Sequence, residues 1–171
     1  AMCRMAKKVI DLGHRNLALV SAETILNDRA KARQLGIEDA MVAANLCAKT
    51  LHIVKTTYGI EEGATAFEQV MKAAPQTTAV FCGNDVLAVG ALRRARELGF
   101  KVPQDVSIIG FDDIELAEIA YPALTTVHVP HREMGRRAGE ALIKLLNEGT
   151  QIEAVELEAS LVFRDTLAPA R

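Results

Sequence analysis

Short continuous apolar runs recur along this 171-residue chain, each followed by a stretch with helical spacing, and that alternation restricts the fold more than anything else. The runs are Leu17–Val20, Leu51–Val54, Thr78–Cys82, Val106–Phe111 and Thr125–Val129. A strand that is apolar at nearly every position has both faces buried, as in a parallel sheet covered by helices. Residues 28–48 have helical period, with Ala32, Leu35, Ala40 and Ala43 on one stripe and Gly36 marking a close approach. Residues 61–74 place Ala64, Phe67, Val70, Met71 and Ala74 inward, and Pro75 stops them. Asn84 is the N-cap of a helix that runs to Leu98, with Gly99 just past its end. A short helix over 113–120 ends at Tyr121-Pro122. Pro130 opens a longer one whose stripe is Met134, Ala138, Ala141, Leu142 and Leu145, closed by Gly149. Val155 to Phe163 alternates like an edge strand, with Val155, Leu157, Ala159 and Leu161 facing one way. The pattern predicts an α/β fold of βαβ units on a parallel sheet.

Composition excludes several functions. The formal charge is −2, and the basic pairs Arg93-Arg94 and Arg136-Arg137 sit among acids on helical stretches. A duplex binder needs a basic face to displace counterions, so this chain by itself is not expected to bind DNA. Cys3, Cys47 and Cys82 are far apart and odd in number, which argues against a zinc site or disulfide framework and for buried, reduced thiols. No metal or cofactor is expected. No apolar run reaches membrane-spanning length and no signal-type segment opens the chain, so a cytoplasmic location is the expectation.

In open parallel sheets ligands bind outside the carboxyl ends of the strands. The residues there are 21–33, 56–59, 83–85 and 112–113, and they are not an enzyme's set. Nucleotide-binding, nucleophile-elbow and zinc-protease motifs are all absent, and the four histidines have no neighbouring nucleophile. His14 reads as a turn-shaping residue, and His128 and His131 as surface residues at a strand end. The strand ends offer a mixture suited to a polar, hydroxyl-bearing small molecule. Arg33 is a fork of donors, Asn84 a donor and acceptor, Asp112 an acceptor, and Tyr58 an apolar face with a polar tip. Each has a plainer reading: Asn84 and Asp112 as helix caps, Arg33 as a surface charge. Asp28-Arg29 fits either an anion at a helix start or a local ion pair.

Several segments resemble the sensor domains of LacI/GalR transcriptional regulators. They are Gly13-His14-Arg15-Asn16 with the strand after it, Asn27-Asp28-Arg29 through Arg33 to Gly36, and Phe81-Cys82-Gly83-Asn84-Asp85 leading to Ala88-Val89-Gly90-Ala91. More specific are Val102-Pro103 with Asp105 to Asp113, then Pro122-Ala123-Leu124-Thr125-Thr126-Val127 and Met134-Gly135-Arg136-Arg137-Ala138. The resemblance implies a non-enzymatic, two-lobed, periplasmic-binding-protein-like sensor. Its effector, a sugar or similar molecule, alters DNA binding by a separate headpiece. It makes Arg33, Asn84, Asp112, Tyr58 and Arg29 effector contacts. Residues 1–124 and 152–171 become the second lobe, and 125–151 a strand and helix of the first lobe with no sheet to join. It also implies a homodimer through Val86, Val89, Leu92 and Tyr121. A periplasmic-type sugar-binding protein of a transport system is the alternative.

Overall fold

The computed structural model describes residues 1–149 and 154–171. Four strands, β1 (Leu17–Ser21), β2 (His52–Lys55), β3 (Ala79–Cys82) and β4 (Ser107–Ile109), form a parallel sheet in the order β2-β1-β3-β4. Register is set by apolar pairs such as Leu19 opposite Ile53, Leu19 opposite Phe81, and Phe81 opposite Ile109. Because successive side chains on a strand point to opposite faces, each strand supplies two cores. Leu17, Leu19, Phe81 and Ile109 meet α1 (Met2–Asp11) and α2 (Asp28–Ala43) on one face. Ala18, Val20, Val80, Cys82 and Ile108 meet α3 (Ile60–Ala73) and α4 (Asp85–Glu97) on the other.

The boundaries of α4 follow the capping chemistry. The Asn84 side chain accepts the Leu87 N–H at 2.9 Å, and Gly99 sits at φ +83° past the end of α4. The expected inward stripe of α3 is buried as a whole. The α2 stripe is not the expected one: Ala30, Ile37, Ala40 and Met41 are buried, whereas Leu35 is exposed. The Ala-rich period fitted two registers, and packing on α1 selects the one where Gly36 lies against the Cys3 backbone. That helix also ends at Ala43, and a 3-10 turn over Ala48–Thr50 leads into β2. Of the cysteines, Cys82 is buried and Cys47 is exposed, contrary to the expectation of three buried thiols.

The chain after β4 departs most from expectation. A short helix, α5 (Glu115–Ile119), precedes β5 (Thr126–His128) and α6 (His131–Glu148). Far from lacking a sheet to join, this stretch runs beside β4: Ile109 and Asp112 bridge in parallel to Thr125 and His128, and Gly110 N–H donates to Thr125 O at 2.9 Å. On its other side β5 pairs antiparallel with β6 (Ser160–Val162). The alternating stretch from Val155 is a strand only over those three residues, and Val155 itself is exposed. The helix α6 leaves its apolar stripe uncovered among the described residues, since Met134, Leu142, Ile143, Leu145 and Leu146 are all exposed. Residues 150–153 lie outside the described residues, as does that part of the expected lobe boundary. The last residues return to the sheet: Ile108 N–H donates to Thr166 O, Thr166 Oγ1 to Ile108 O, and Ala170 N–H to Leu12 O.

Candidate ligand-binding site

A cavity of about 360 Å³ opens at the carboxyl edge of the sheet, between the start of α2, the end of β4 and the start of α6. Arg33 crosses it. Its side chain is only 14% exposed, its guanidinium carbon lies 4.2 Å from the centre of the Phe111 ring, and its Nη2 is 3.6 Å from Asp112 Oδ1. At that separation the pair attract without a hydrogen bond to each other, so a mostly buried fork of donors faces a carboxylate across the cavity. Arg29, His131 and Met134 line it too, beside Ala1, Met2, Ala32 and Val129, and His131 Nε2 is 3.8 Å from Asp112 Oδ1. Burial raises the Asp112 pKa, against the pull of Arg33, His131 and Arg29.

Asp112 is presented by an unusual backbone. It has φ 107° and Asp113 has φ 57°, conformations that L residues seldom take and that functional loops tend to hold. Asp112 N–H donates to Val127 O at 2.9 Å, while the Asp113 carboxylate takes Arg164 Nη2 and His128 Nδ1, both at 2.9 Å. A third carboxyl braces the same loop from beneath. Asp85 is fully buried; it accepts Ile114 N–H at 2.9 Å and Thr126 Oγ1 at 2.6 Å, and its own N–H donates to Phe111 O at 2.9 Å. Burial pushes its pKa up to about 6, although both hydrogen bonds oppose the rise.

Of the residues expected at the site, Arg33, Asp112 and Arg29 come together here. Asn84 and Tyr58 do not line this cavity. Asn84 caps α4, and Tyr58 stands 45% exposed in a separate hollow with Lys55 and Asn27. His131, placed on the surface by sequence, borders the site. Phe111, Met134 and Asp85 were not singled out, yet the run Gly110-Phe111-Asp112 at a strand end was the signal for the first of them. Ser21, closing β1 beside Gly83, keeps a buried hydroxyl with no partner among the described residues. His14 ties distant segments together: its Nδ1 meets Thr78 Oγ1 at 2.9 Å and its Nε2 meets Ala168 O at 2.8 Å. On the expected association face Tyr121 is 89% exposed and Val86 and Val89 are half-buried. Leu92 is buried in the α3–α4 core and is not available to a partner, because its position on α4 turns inward. Among the described residues no His/Cys/Asp/Glu group could hold a metal, and no helix is long and apolar enough to cross a membrane.

Residues 6–167 match the periplasmic binding protein-like domain family. The chain is 35% identical over 162 residues to the HTH-type transcriptional repressor PurR of Vibrio vulnificus, covering 94% of this chain and 48% of that repressor. It thus spans about half the length of the curated relatives it matches. A LacI family transcriptional regulator from Enterococcus faecium, solved with bound ribose, superposes with a TM-score of 0.93 at 28% identity, over 99% of this chain and 63% of the other. A dimeric Lac repressor superposes with a TM-score of 0.89 at 25% identity, over 99% and 61% of the two chains. These relatives are regulators and not enzymes. Sequence and fold agree that the chain belongs to the periplasmic binding protein-like domain family, in the form found in the effector-binding part of LacI/GalR regulators.

Proposed function

We propose that this chain senses a small polar ligand at the Arg33–Asp112 cavity, and that binding there alters DNA affinity through a separate headpiece in the cytoplasm. The observation that carries the reading is the pair itself. Arg33 and Asp112 face each other at 3.6 Å over the Phe111 ring, with hydrogen-bonding capacity that no described residue takes up. A hydroxyl-bearing ligand supplies an acceptor for one and a donor for the other, and ribose in the Enterococcus faecium relative supports a sugar as the class. Asn84 and Tyr58, at neighbouring strand ends, enter the site in this reading if the ligand reaches beyond the cavity. Ligand acts by favouring one of two arrangements of the sensor. The exposed apolar stripe of α6 fits a segment that packs against another lobe, with β5 remaining beside β4 in this one. A second copy of the chain pairs along Val86, Val89 and Tyr121. Calorimetric titration with ribose tests the site: Arg33→Ala and Asp112→Ala each leave a partner unmatched and weaken binding by about 1–3 kcal/mol. Unchanged affinity in both variants refutes the assignment.

A further inference from the structure

Two consecutive L residues, Asp112 and Asp113, stand at φ 107° and φ 57°. Such angles persist only where the surroundings over-determine them, so something must fix this turn. Strand β5 supplies part of the restraint. Val127 O takes the Asp112 N–H at 2.9 Å, and the partly exposed His128 meets the Asp113 carboxylate. Asp85 acts from the other side, out of water. Its main-chain N–H donates to Phe111 O and its carboxylate accepts the Ile114 N–H, both at 2.9 Å. One residue thus grips both neighbours of the strained pair, and no other among the described residues does so. The second carboxylate oxygen accepts the Thr126 hydroxyl at 2.6 Å, which stops the side chain from turning away. The strand itself makes room for the grip: a Cβ on Gly110 would lie 2.1 Å from Asp85 Oδ1. Asp85 is also the first residue of α4, so the grip is anchored on a packed helix and not on another loop.

We infer that Asp85 is a positioning residue of the ligand site: by holding Phe111 and Ile114 it imposes the left-handed turn between them and so aims the Asp112 carboxylate at Arg33. The inference rests on the ligand-binding reading of Asp112 above and adds to it a residue that does not line the cavity. Released from the grip, Asp112 and Asp113 relax towards negative φ, which swings the Asp112 side chain off its 3.6 Å approach to Arg33.

Nuclear magnetic resonance of the whole chain reads the turn directly, because a positive φ brings a residue's amide proton close to its own Hα and gives a strong nuclear Overhauser effect. Asp85→Ala should weaken that signal at Asp112 and Asp113, and should move the Arg33 Nε–Hε resonance as Asp112→Ala does. Asp85→Asn, whose amide can keep both contacts, should restore both signatures. Val70→Ala, which takes methyl groups from the core between α3 and the sheet, should change neither, and this separates positioning from a general loss of stability. Should Asp85→Ala not fold, Asp85→Ser takes its place, since a hydroxyl one bond shorter does not reach Ile114 and Thr126 together. Calorimetry with ribose should show affinity falling about fivefold or more in the variant that has lost the turn, and recovering in Asp85→Asn. Overhauser effects that persist at Asp112 and Asp113 without the Asp85 carboxylate overturn the inference and leave the site reading standing. So does a lost turn with the Arg33 resonance or the ribose affinity unmoved. If ribose treats wild type and Asp112→Ala alike, the ligand reading falls instead, and the turn and the Arg33 resonance still decide on Asp85.

Discussion

Replacing Asp85 by asparagine removes a buried charge while keeping the shape of the brace beneath Asp112. The carboxyl has its pKa raised from 3.8 to about 6, so the folded state holds a proton that the unfolded chain has already released between those values. Stability therefore falls as pH rises from about 4 to about 6, and the two-unit difference corresponds to about 3 kcal/mol. Asparagine has no such proton. Its amide oxygen can accept the Ile114 N–H and its amide nitrogen can donate to Thr126 Oγ1, so both contacts survive, the one to Thr126 with its direction reversed. Asp85→Asn should then be the less pH-sensitive protein, gaining on wild type by up to about 3 kcal/mol between pH 4 and pH 7. Asp85→Ala separates charge from bonding. It leaves the Ile114 N–H and the buried Thr126 hydroxyl unmatched and should cost about 2 kcal/mol or more at pH 4, where the wild-type carboxyl is close to neutral. Urea denaturation at half-unit pH steps measures all three proteins. Parallel stability curves for wild type and Asp85→Asn would refute the reasoning, since they would mean that Asp85 titrates alike folded and unfolded.

Three further outcomes are expected. Gly90→Ala should destabilise by about 1–3 kcal/mol or more, because its Cβ would lie 2.0 Å from Ile60 O and force α3 and α4 apart, whereas Gly135→Ala on α6 meets nothing and should gain up to about 1 kcal/mol; chemical denaturation of both decides. Light scattering should show association that Val89→Asp with Tyr121→Asp abolishes, and a wild-type monomer at high concentration would contradict the proposed pairing. The isolated chain, with its charge of −2, should show no operator-selective DNA binding in an anisotropy titration at physiological salt, and selective binding would refute the separate-headpiece reading.

The layered fold was legible because its signals are local. Continuous apolar strands mark a buried parallel sheet, and Asn84 and Gly99 fix the ends of α4 by chemistry that needs no knowledge of the rest. The register of α2 was not, since alanines at several phases satisfy one helical period and only contact with α1 breaks the tie. The same reason hid Leu92: an apolar residue between two candidate faces belongs to whichever helix arrives first, and α3 does. At the site, strand-end position brought Arg33 and Asp112 into view, and of the two readings open for Asn84 the structure shows the cap. Asp85 escaped notice because an aspartate after an asparagine cap looks like ordinary first-turn chemistry. Its role depends on Ile114 and Thr126, 29 and 41 residues away.

The return of the last residues to the sheet has a consequence for biosynthesis. The outer edge of β4 has its Ile108 N–H and carbonyl answered by Thr166, and Thr125 N–H donates to Thr166 Oγ1 at 2.9 Å. His14 and Leu12 find their partners, Ala168 and Ala170, more than 150 residues further along the chain. A nascent chain that has emerged through β5 but not yet to Arg164 therefore holds a sheet with an open margin and a half-satisfied imidazole, and the loop carrying Asp113 still lacks that arginine. Such long-separation contacts form slowly and leave strand edges exposed until they do. The Asp112–Asp113 loop is thus completed late, after Arg164 has left the exit tunnel, and nascent chains paused before that residue should be the ones that chaperones hold.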